Sequence, residues 1–401
     1  MSEKNDNKVP NVPNLRFAEF TKEWEISTIG KTGFFYYGKS APKWSVDKNA
    51  KNPCFRYGQL YTLDKAKIDV VETYTNIDSS QLTFSRGTEV LVPRVGEDPM
   101  DFYKCTYLAI KNVAIGEMIS VYNTNENPHF MSYYFRATMR KKFARLVEGG
   151  NVSNLYYEYL KKISIKLPCR DEQKRIVHFF ELLDERITTQ SKIIEDLILE
   201  KNITSDKIFS QTPIRKNSLS SFYKKGKAGG TPKSTNKSYY GGDIPFLSIS
   251  DMTEQGKYLY STQKTLTKEG LENSTAWVVP KDSLILSMYA SVGQVAINKI
   301  PLATSQAMFS MTIIDKNDLV FLYYFLSYFR ENKLHKYLET GTQSNINADF
   351  VKSIEIPDYG AVKNEQIVTL LSLLDERIQK EKDILSLYKK QKAYLLSNMF
   401  I

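Results

Sequence analysis

Residues 33–40 read Gly33-Phe34-Phe35-Tyr36-Tyr37-Gly38-Lys39-Ser40, which fits G-x-x-x-x-G-K-[ST], a loop whose backbone N–H groups cradle phosphates. Such a loop follows a buried strand, turns small residues inward and opens a helix. Here residues 22–28 are only weakly apolar, four aromatics fill the loop, and Pro42 stands where the helix should run. In the second half of the chain, residues 222–228 align with residues 34–40 and lack both the hydroxyl and the first glycine. No nucleotide site is expected. Other catalytic signatures are missing: no G-x-G-x-x-G, no Asn-Pro-Pro-aromatic run, no G-x-S-x-G and no H-E-x-x-H. Paired acids such as Glu97-Asp98 read as solvated surface, so no catalytic residue is assigned. Cys54, Cys105 and Cys169 form no C-x-x-C pair, and His129, His178 and His335 are the only histidines. We expect no metal site and no disulfide framework, which fits a reducing compartment.

The chemistry that remains is recognition. Lys+Arg number 55 against 45 Asp+Glu, a net charge of +10 that favours a polyanion, nucleic acid first. Contact with DNA needs Lys and Arg for phosphates and planar polar groups for base edges. The first half offers Lys39, Lys43, Trp44, Arg56, Tyr57, Arg94 and Lys104; the second offers Lys225, Lys227, Lys233, Asn236, Lys237, Tyr289 and Gln294. Any one of them taken singly reads first as a solvated surface residue; the expectation concerns the clusters.

The elements that must position these loops come in two copies. Leu182-Leu183-Asp184-Glu185-Arg186-Ile187 recurs as Leu373-Leu374-Asp375-Glu376-Arg377-Ile378, 191 positions on. Ser164-Ile165-Lys166-Leu167-Pro168 echoes Ser353-Ile354-Glu355-Ile356-Pro357, Tyr133-Tyr134-Phe135 echoes Tyr323-Tyr324-Phe325, and Pro42-Lys43 echoes Pro232-Lys233, all near that offset. The period is that of a domain plus a connector, far longer than a solenoid repeat. The copies agree at their ends and diverge through their middles, as two sites of one kind with different targets would.

Each copy reads as a mixed α/β module and a long helix. Strands are predicted over residues 89–93, 114–122, 243–249 and 283–288, and helices over 130–146 and 319–338. Phe180, Leu183, Ile187, Ile194, Leu197 and Ile208 fall on one heptad stripe, and Leu371, Leu374, Ile378, Leu385, Tyr388, Leu395 and Met399 on its copy, broken by Glu381 and Lys392. A helix of nearly 40 residues is about 55–60 Å long. The predicted fold is α+β: two tandem mixed α/β modules joined by two long helices that form an antiparallel coiled coil. The expected boundaries are an N-terminal segment 1–20, modules 21–168 and 212–357, and helices 169–211 and 358–401. Glu172-Gln173 and Glu365-Gln366 break the 191 offset, so the loops entering the two helices are expected to differ.

Duplicated modules, each ending in Pro, Glu-Gln and a Leu-Leu-Asp-Glu-Arg-Ile helix, resemble the specificity subunit of type I restriction–modification enzymes. The openings Pro13-Asn14-Leu15-Arg16-Phe17-Ala18-Glu19-Phe20 with Trp24-Glu25, and Gly229-Gly230-Thr231-Pro232 with Tyr240-Gly241-Gly242-Asp243-Ile244-Pro245, carry the same likeness over almost the whole chain. The resemblance implies two target-recognition domains, each binding half of a split, asymmetric double-stranded DNA sequence, with the helices as ruler and docking surface. It implies two methyltransferase subunits and two restriction subunits as partners, with S-adenosylmethionine, ATP and magnesium bound by them and no cofactor on this chain. The polar N-terminus and the lack of an apolar run of about 18 residues predict a cytoplasmic protein away from membranes. A stand-alone DNA methyltransferase or nuclease, and a scaffold that does not read DNA, are the competing readings.

Overall fold

A computed structural model describes residues 11–39, 41–339 and 345–401. Residues 1–10 of the expected N-terminal segment, and Ser40 of the phosphate-loop pattern, lie outside them. The chain divides into two compact units, one of residues 1–191 with 383–401, the other of residues 192–382.

In the first unit a five-stranded sheet runs in the order Gly33–Tyr37, Ile119–Thr124, Glu89–Pro93, Thr106–Leu108, Lys67–Ile68. A four-stranded sheet has the order Tyr74–Thr75, Asn52–Phe55, Lys111–Ile115, Phe84–Arg86. Both faces of the strand Glu89–Pro93 are covered. Val90 and Val92 join the larger core with Trp24, Phe130 and Phe135, while Leu91 joins Phe55, Leu108 and Ile119 on the other face. That is why its sequence reads as a continuous apolar run without alternation. Helix α1 (Pro128–Thr138) starts where Asn127 accepts the N–H groups of His129 and Phe130, with Pro128 at the first helical position.

The second unit repeats these two sheets strand for strand; a three-stranded sheet of Glu148–Gly149, Ser153–Asn154 and Val95–Gly96 in the first unit has no counterpart among the described residues of the second. Its five-stranded sheet runs Tyr223–Ala228, Met308–Ile313, Leu284–Ser287, Val295–Asn298, Tyr258–Leu259, and its four-stranded sheet runs Lys264–Leu266, Tyr240–Leu247, Leu302–Thr304, Val278–Val279.

Some predicted elements are broken. Residues 114–122 are two strands, because Gly116-Glu117-Met118 turn between them with Met118 at φ 66°. Residues 243–249 end their strand at Leu247, and Ile249 opens a short helix. The helix predicted over 130–146 is α1 followed by Arg140–Ala144, and that over 319–338 is Lys316–Asn332 followed by Leu334–Glu339.

The two long helices are α2 (Arg170–Phe209) and α3 (Ala361–Asn398), of 40 and 38 residues. They start 191 positions apart, as do the strands leading into them, Ser164–Leu167 and Glu355–Asp358. The loops therefore carry no insertion, and the two Glu-Gln dipeptides occupy different helical positions. Glu172 and Gln173 are buried, with Gln173 bonded to Glu126, Pro168 and Asn127; Glu365 and Gln366 are exposed. Within the first unit the helices run antiparallel: Phe180 meets Phe400, Asp184 meets Lys392, and Arg186 lies over Tyr388. Within the second, Lys201 meets Asp375 and Gln211 accepts from Lys363.

The stripe residues Leu183, Ile194, Leu197, Leu371, Ile378 and Met399 are buried, as is Gln190 between them. Ile187, Ile208, Leu374, Leu385, Tyr388 and Leu395 are half-buried. Phe180 belongs to the first module's core, and Phe209, one position beyond the predicted Ile208, closes the second. Phe400 packs on Phe130 and Tyr134 as Phe209 packs on Phe321 and Phe325, 191 positions on. The N-terminal segment is strapped to the first unit by Arg16, whose Nε and Nη2 both donate to the buried Glu172 at 2.7 Å.

Candidate nucleic-acid interface

Residues 33–37 form an extended edge strand paired with Ile119–Thr124, where successive N–H groups point to opposite sides and do not converge on a phosphate as a loop's would. The same ladder corrects the predicted alignment of the copies. Tyr37 pairs with Ser120 and Ala228 with Phe309, which makes Ala228 the counterpart of Tyr37 and shifts the sequence alignment by three positions. The counterpart of Gly38 is then Gly229, and of Ser40, Thr231. Both glycines serve close approach: a Cβ would lie 2.2 Å from the Gly116 carbonyl oxygen at Gly38 and 1.9 Å from that of Thr304 at Gly229.

Around the turn at Gly116–Met118 three other segments converge. Lys39 donates its N–H to Ile115, Gly116 donates to Phe55 beside Arg56, and Arg94 donates to Met118. This edge gathers Lys39, Arg56, Tyr57 and Arg94. Arg56 is partly spent, since its Nε donates to the Ala41 carbonyl at 2.9 Å. Lys43 and Trp44 project from a tight turn that follows. Trp44 is 77% exposed, while its neighbour Ser45 is fully buried and bonds Pro42 and Thr75, each at 2.7 Å. An anchored turn holding out an indole and an ammonium suits contact with a stacked, anionic partner. Arg94 lays its guanidinium 4.2 Å from the ring centre of Tyr37 and 5.9 Å from that of Tyr156. Burial pushes the Tyr37 hydroxyl pKa up, and the charge of Arg94 partly opposes this. Lys104 is taken up differently, in an ion pair with Asp101 at 2.9 Å.

The second unit builds the same edge from other side chains. Gly229 donates to Met308, Gly230 to Thr304 and Met288 to Ala307, while Thr231 Oγ1 donates to Gln306 at 2.5 Å. Tyr289 and Gln294 sit on the loop that follows Leu284–Ser287, pinned by Ser287 Oγ donating to the Tyr289 and Ala290 carbonyls. Tyr289 is exposed, and Gln294 accepts from Thr253 at 3.4 Å. Lys225 and Lys227 lie two apart on one edge strand, with the Lys225 ammonium 4.3 Å from the Trp277 ring centre. Lys233, Asn236 and Lys237 belong to the next loop, which Tyr240 closes on the Pro232 carbonyl; Asn236 spends its oxygen on the Ser238 N–H. Sequence reading missed Tyr37, Tyr156, Met118, Thr231 and Gln306 at these edges. The duplication holds the signal for them, but only once strand pairing fixes which positions correspond.

Among the described residues no three His, Cys, Asp or Glu side chains are grouped to hold a metal, and no helix is long and apolar enough to cross a membrane.

The sequence profile of the type I restriction modification DNA specificity domain matches residues 21–198 and again 215–387. The specificity subunit of type I restriction enzyme MjaIX from Methanocaldococcus jannaschii is 30% identical over 181 residues, 43% of this chain and 40% of that protein. The HindI specificity subunit from Haemophilus influenzae is 32% identical over 133 residues, 32% of this chain and 28% of that protein. The matched stretches thus span less than half of either relative. The crystal structure of a type I restriction–modification S subunit from M. genitalium superposes with a TM-score of 0.58 at 16% identity, covering 97% of this chain and 99% of that one. A chain from a structural study of type I complex assembly and conformational transition gives 0.60 at 15% identity, covering 94% and 97%. These two likenesses establish a shared fold.

Proposed function

Because the chain belongs to the type I restriction–modification DNA specificity family, we propose that it is the subunit that supplies DNA sequence recognition, each module reading one half of a bipartite, asymmetric target. One observation carries this reading. The two modules share their five- and four-stranded sheets strand for strand, while the side chains at the matching edges differ. A common scaffold with divergent contact edges is what two different half-sites require, since phosphate contacts position the protein and base contacts specify. The chain itself is non-catalytic and works in the cytoplasm. Two methyltransferase subunits dock on it and two restriction subunits complete the assembly, with S-adenosylmethionine, ATP and magnesium bound by those partners.

The test is reconstitution with the methyltransferase subunits and a map of methylated adenines. Methylation confined to one bipartite sequence is the expected result. Methylation of all sequences alike, or by this chain without a partner, would overturn the reading.

A further inference from the structure

Arg94 and its counterpart in the second module occupy one backbone position with opposite chemistry. Arg94 follows the strand Glu89–Pro93 and donates its N–H to Met118; Met288 follows Leu284–Ser287 and donates to Ala307. The ladders make Met118 and Ala307 equivalent, and Tyr37 and Ala228 equivalent. The first module thus has an arginine lying on a tyrosine ring where the second has a methionine, buried in the core, beside an alanine.

The arginine is held but not satisfied. Its backbone is fixed on both sides, by Met118 and by Leu155, which donates to its carbonyl at 2.8 Å. Tyr37 and Tyr156 flank the guanidinium. Its Nε is buried with no hydrogen-bond partner, and no carboxylate among the described residues pairs with it. A half-buried guanidinium without an acid is costly unless a ligand completes it. The Tyr37 ring, its centre 4.2 Å from the guanidinium, holds the fork in place, and such a fork matches two acceptors side by side.

We propose that Arg94 reads a guanine in the half-site of the first module, donating to O6 and N7 in the major groove. This rests on the reading of the chain as a DNA-recognition subunit. Adenine is excluded by chemistry, since it presents a donor beside its acceptor. A phosphate is the less fitting partner, because a phosphate contact can be the same in both modules, whereas a base reader must differ between two half-sites. The exposed Lys39 and Lys43 supply cations for the backbone.

The experiment uses the full chain assembled with its methyltransferase subunits, and duplexes of the mapped target. Each guanine is replaced in turn by 7-deazaguanine, which exchanges the N7 acceptor for C–H. The wild-type assembly should lose about ten- to a hundredfold in affinity at one guanine of one half-site. Arg94→Met borrows the residue the second module uses at this place, and should abolish that one sensitivity while leaving the other half-site untouched. Arg94→Lys keeps the charge without the fork; it too should lose the guanine sensitivity, yet retain most non-specific affinity. An Arg94→Met assembly weakened equally on every duplex, with a salt dependence reduced by about one ion, would assign Arg94 to a phosphate and overturn the proposal. So would unchanged sensitivity at every guanine, or a first half-site without guanine. A wild-type assembly that cannot tell target from random DNA would instead overturn the recognition reading, and the inference with it.

Discussion

Lys392 near the end of α3 closes an ion pair with Asp184 in α2, and both residues lie 191 positions from Lys201 and Asp375, which close the second pair. The tyrosines follow the same rule. Tyr133 donates to Asp184 at 2.7 Å and Tyr324 to Asp375 at 2.8 Å, and each lysine stands 5.6 Å from the centre of its tyrosine ring. Each unit therefore joins its module to both long helices through one aspartate. A polar contact on an apolar stripe fixes register, because a slip strands its charges.

The copies differ in how the surrounding charge is balanced, and this yields the first prediction. In the second unit Asp375 faces a second cation, Lys257, at 3.6 Å. In the first, Ala66 takes the backbone position of Lys257, and the neighbouring Lys67 is neutralised by Glu181 at 3.0 Å, which also meets His129. Asp375→Asn leaves two cations without their carboxylate and should cost roughly 3 kcal/mol, and Asp184→Asn roughly 1–2 kcal/mol. Adding Lys257→Met to Asp375→Asn should recover part of the loss. Denaturant titration of the four variants checks this; equal costs for the two asparagine variants would show that the extra cation is immaterial.

Lys257 also sets a pH dependence. Burial lowers its pKa from 10.5 to about 8, Lys201 adds to the shift, and Asp375 opposes it. Its ammonium lies within 5.2 Å of the ring centres of Tyr258, Tyr323 and Tyr324. Between pH 8 and 10.5 the unfolded chain holds the proton that the folded chain has released, so raising the pH across that window stabilises the fold. The stability of the wild type should rise relative to Lys257→Met from pH 8 upward and stay parallel to it below pH 7. Melting curves of the pair, run across that range, decide the sign.

How much of this was legible in the sequence follows from which signals are local. The duplication, the two long helices and the core strands are written in apolar periodicity and repeated words. The turn at Gly116–Met118 was not, because it interrupts an apolar run with a methionine at positive φ, where a glycine would have announced it. Lys392 read as a defect in its stripe, since its partner Asp184 is 208 residues away. The Arg94–Tyr37 platform was hidden for the same reason. Arg94 was on the page as a basic residue, but the ring beneath it comes from a strand more than fifty residues earlier, brought close by the sheet.

Trp44 offers a direct optical test of the proposed edge. The chain has three tryptophans; Trp24 is 1% exposed, and the indole N–H of Trp277 is buried. Target duplex should change the emission of Trp44 most, and Trp44→Phe should remove most of that change. Trp44→Ala should weaken binding by about 1–2 kcal/mol, on the scale of an interface tryptophan. Its side chain carries no part of the core, so the melting temperature should hold. An emission change that survives Trp44→Phe would place the contact elsewhere.

The last prediction concerns the helices as a ruler. Each ion pair lies inside one unit, and the units divide at residues 191 and 192 in α2 and at residues 382 and 383 in α3. Seven residues inserted at both divisions keep the heptad phase, and every Asp–Lys and Tyr–Asp contact stays within its own unit. Seven residues of helix add about 10 Å, or about three base pairs of duplex at 3.4 Å each. The methylation map of the doubly inserted chain should keep both half-sites and lengthen the gap by about three base pairs. Insertion in α2 alone should behave differently: it leaves seven residues without an opposing partner on α3, so it should lower stability before it alters the gap. An unchanged gap in the doubly inserted chain would mean that spacing is set by something other than these helices, whatever becomes of the half-sites.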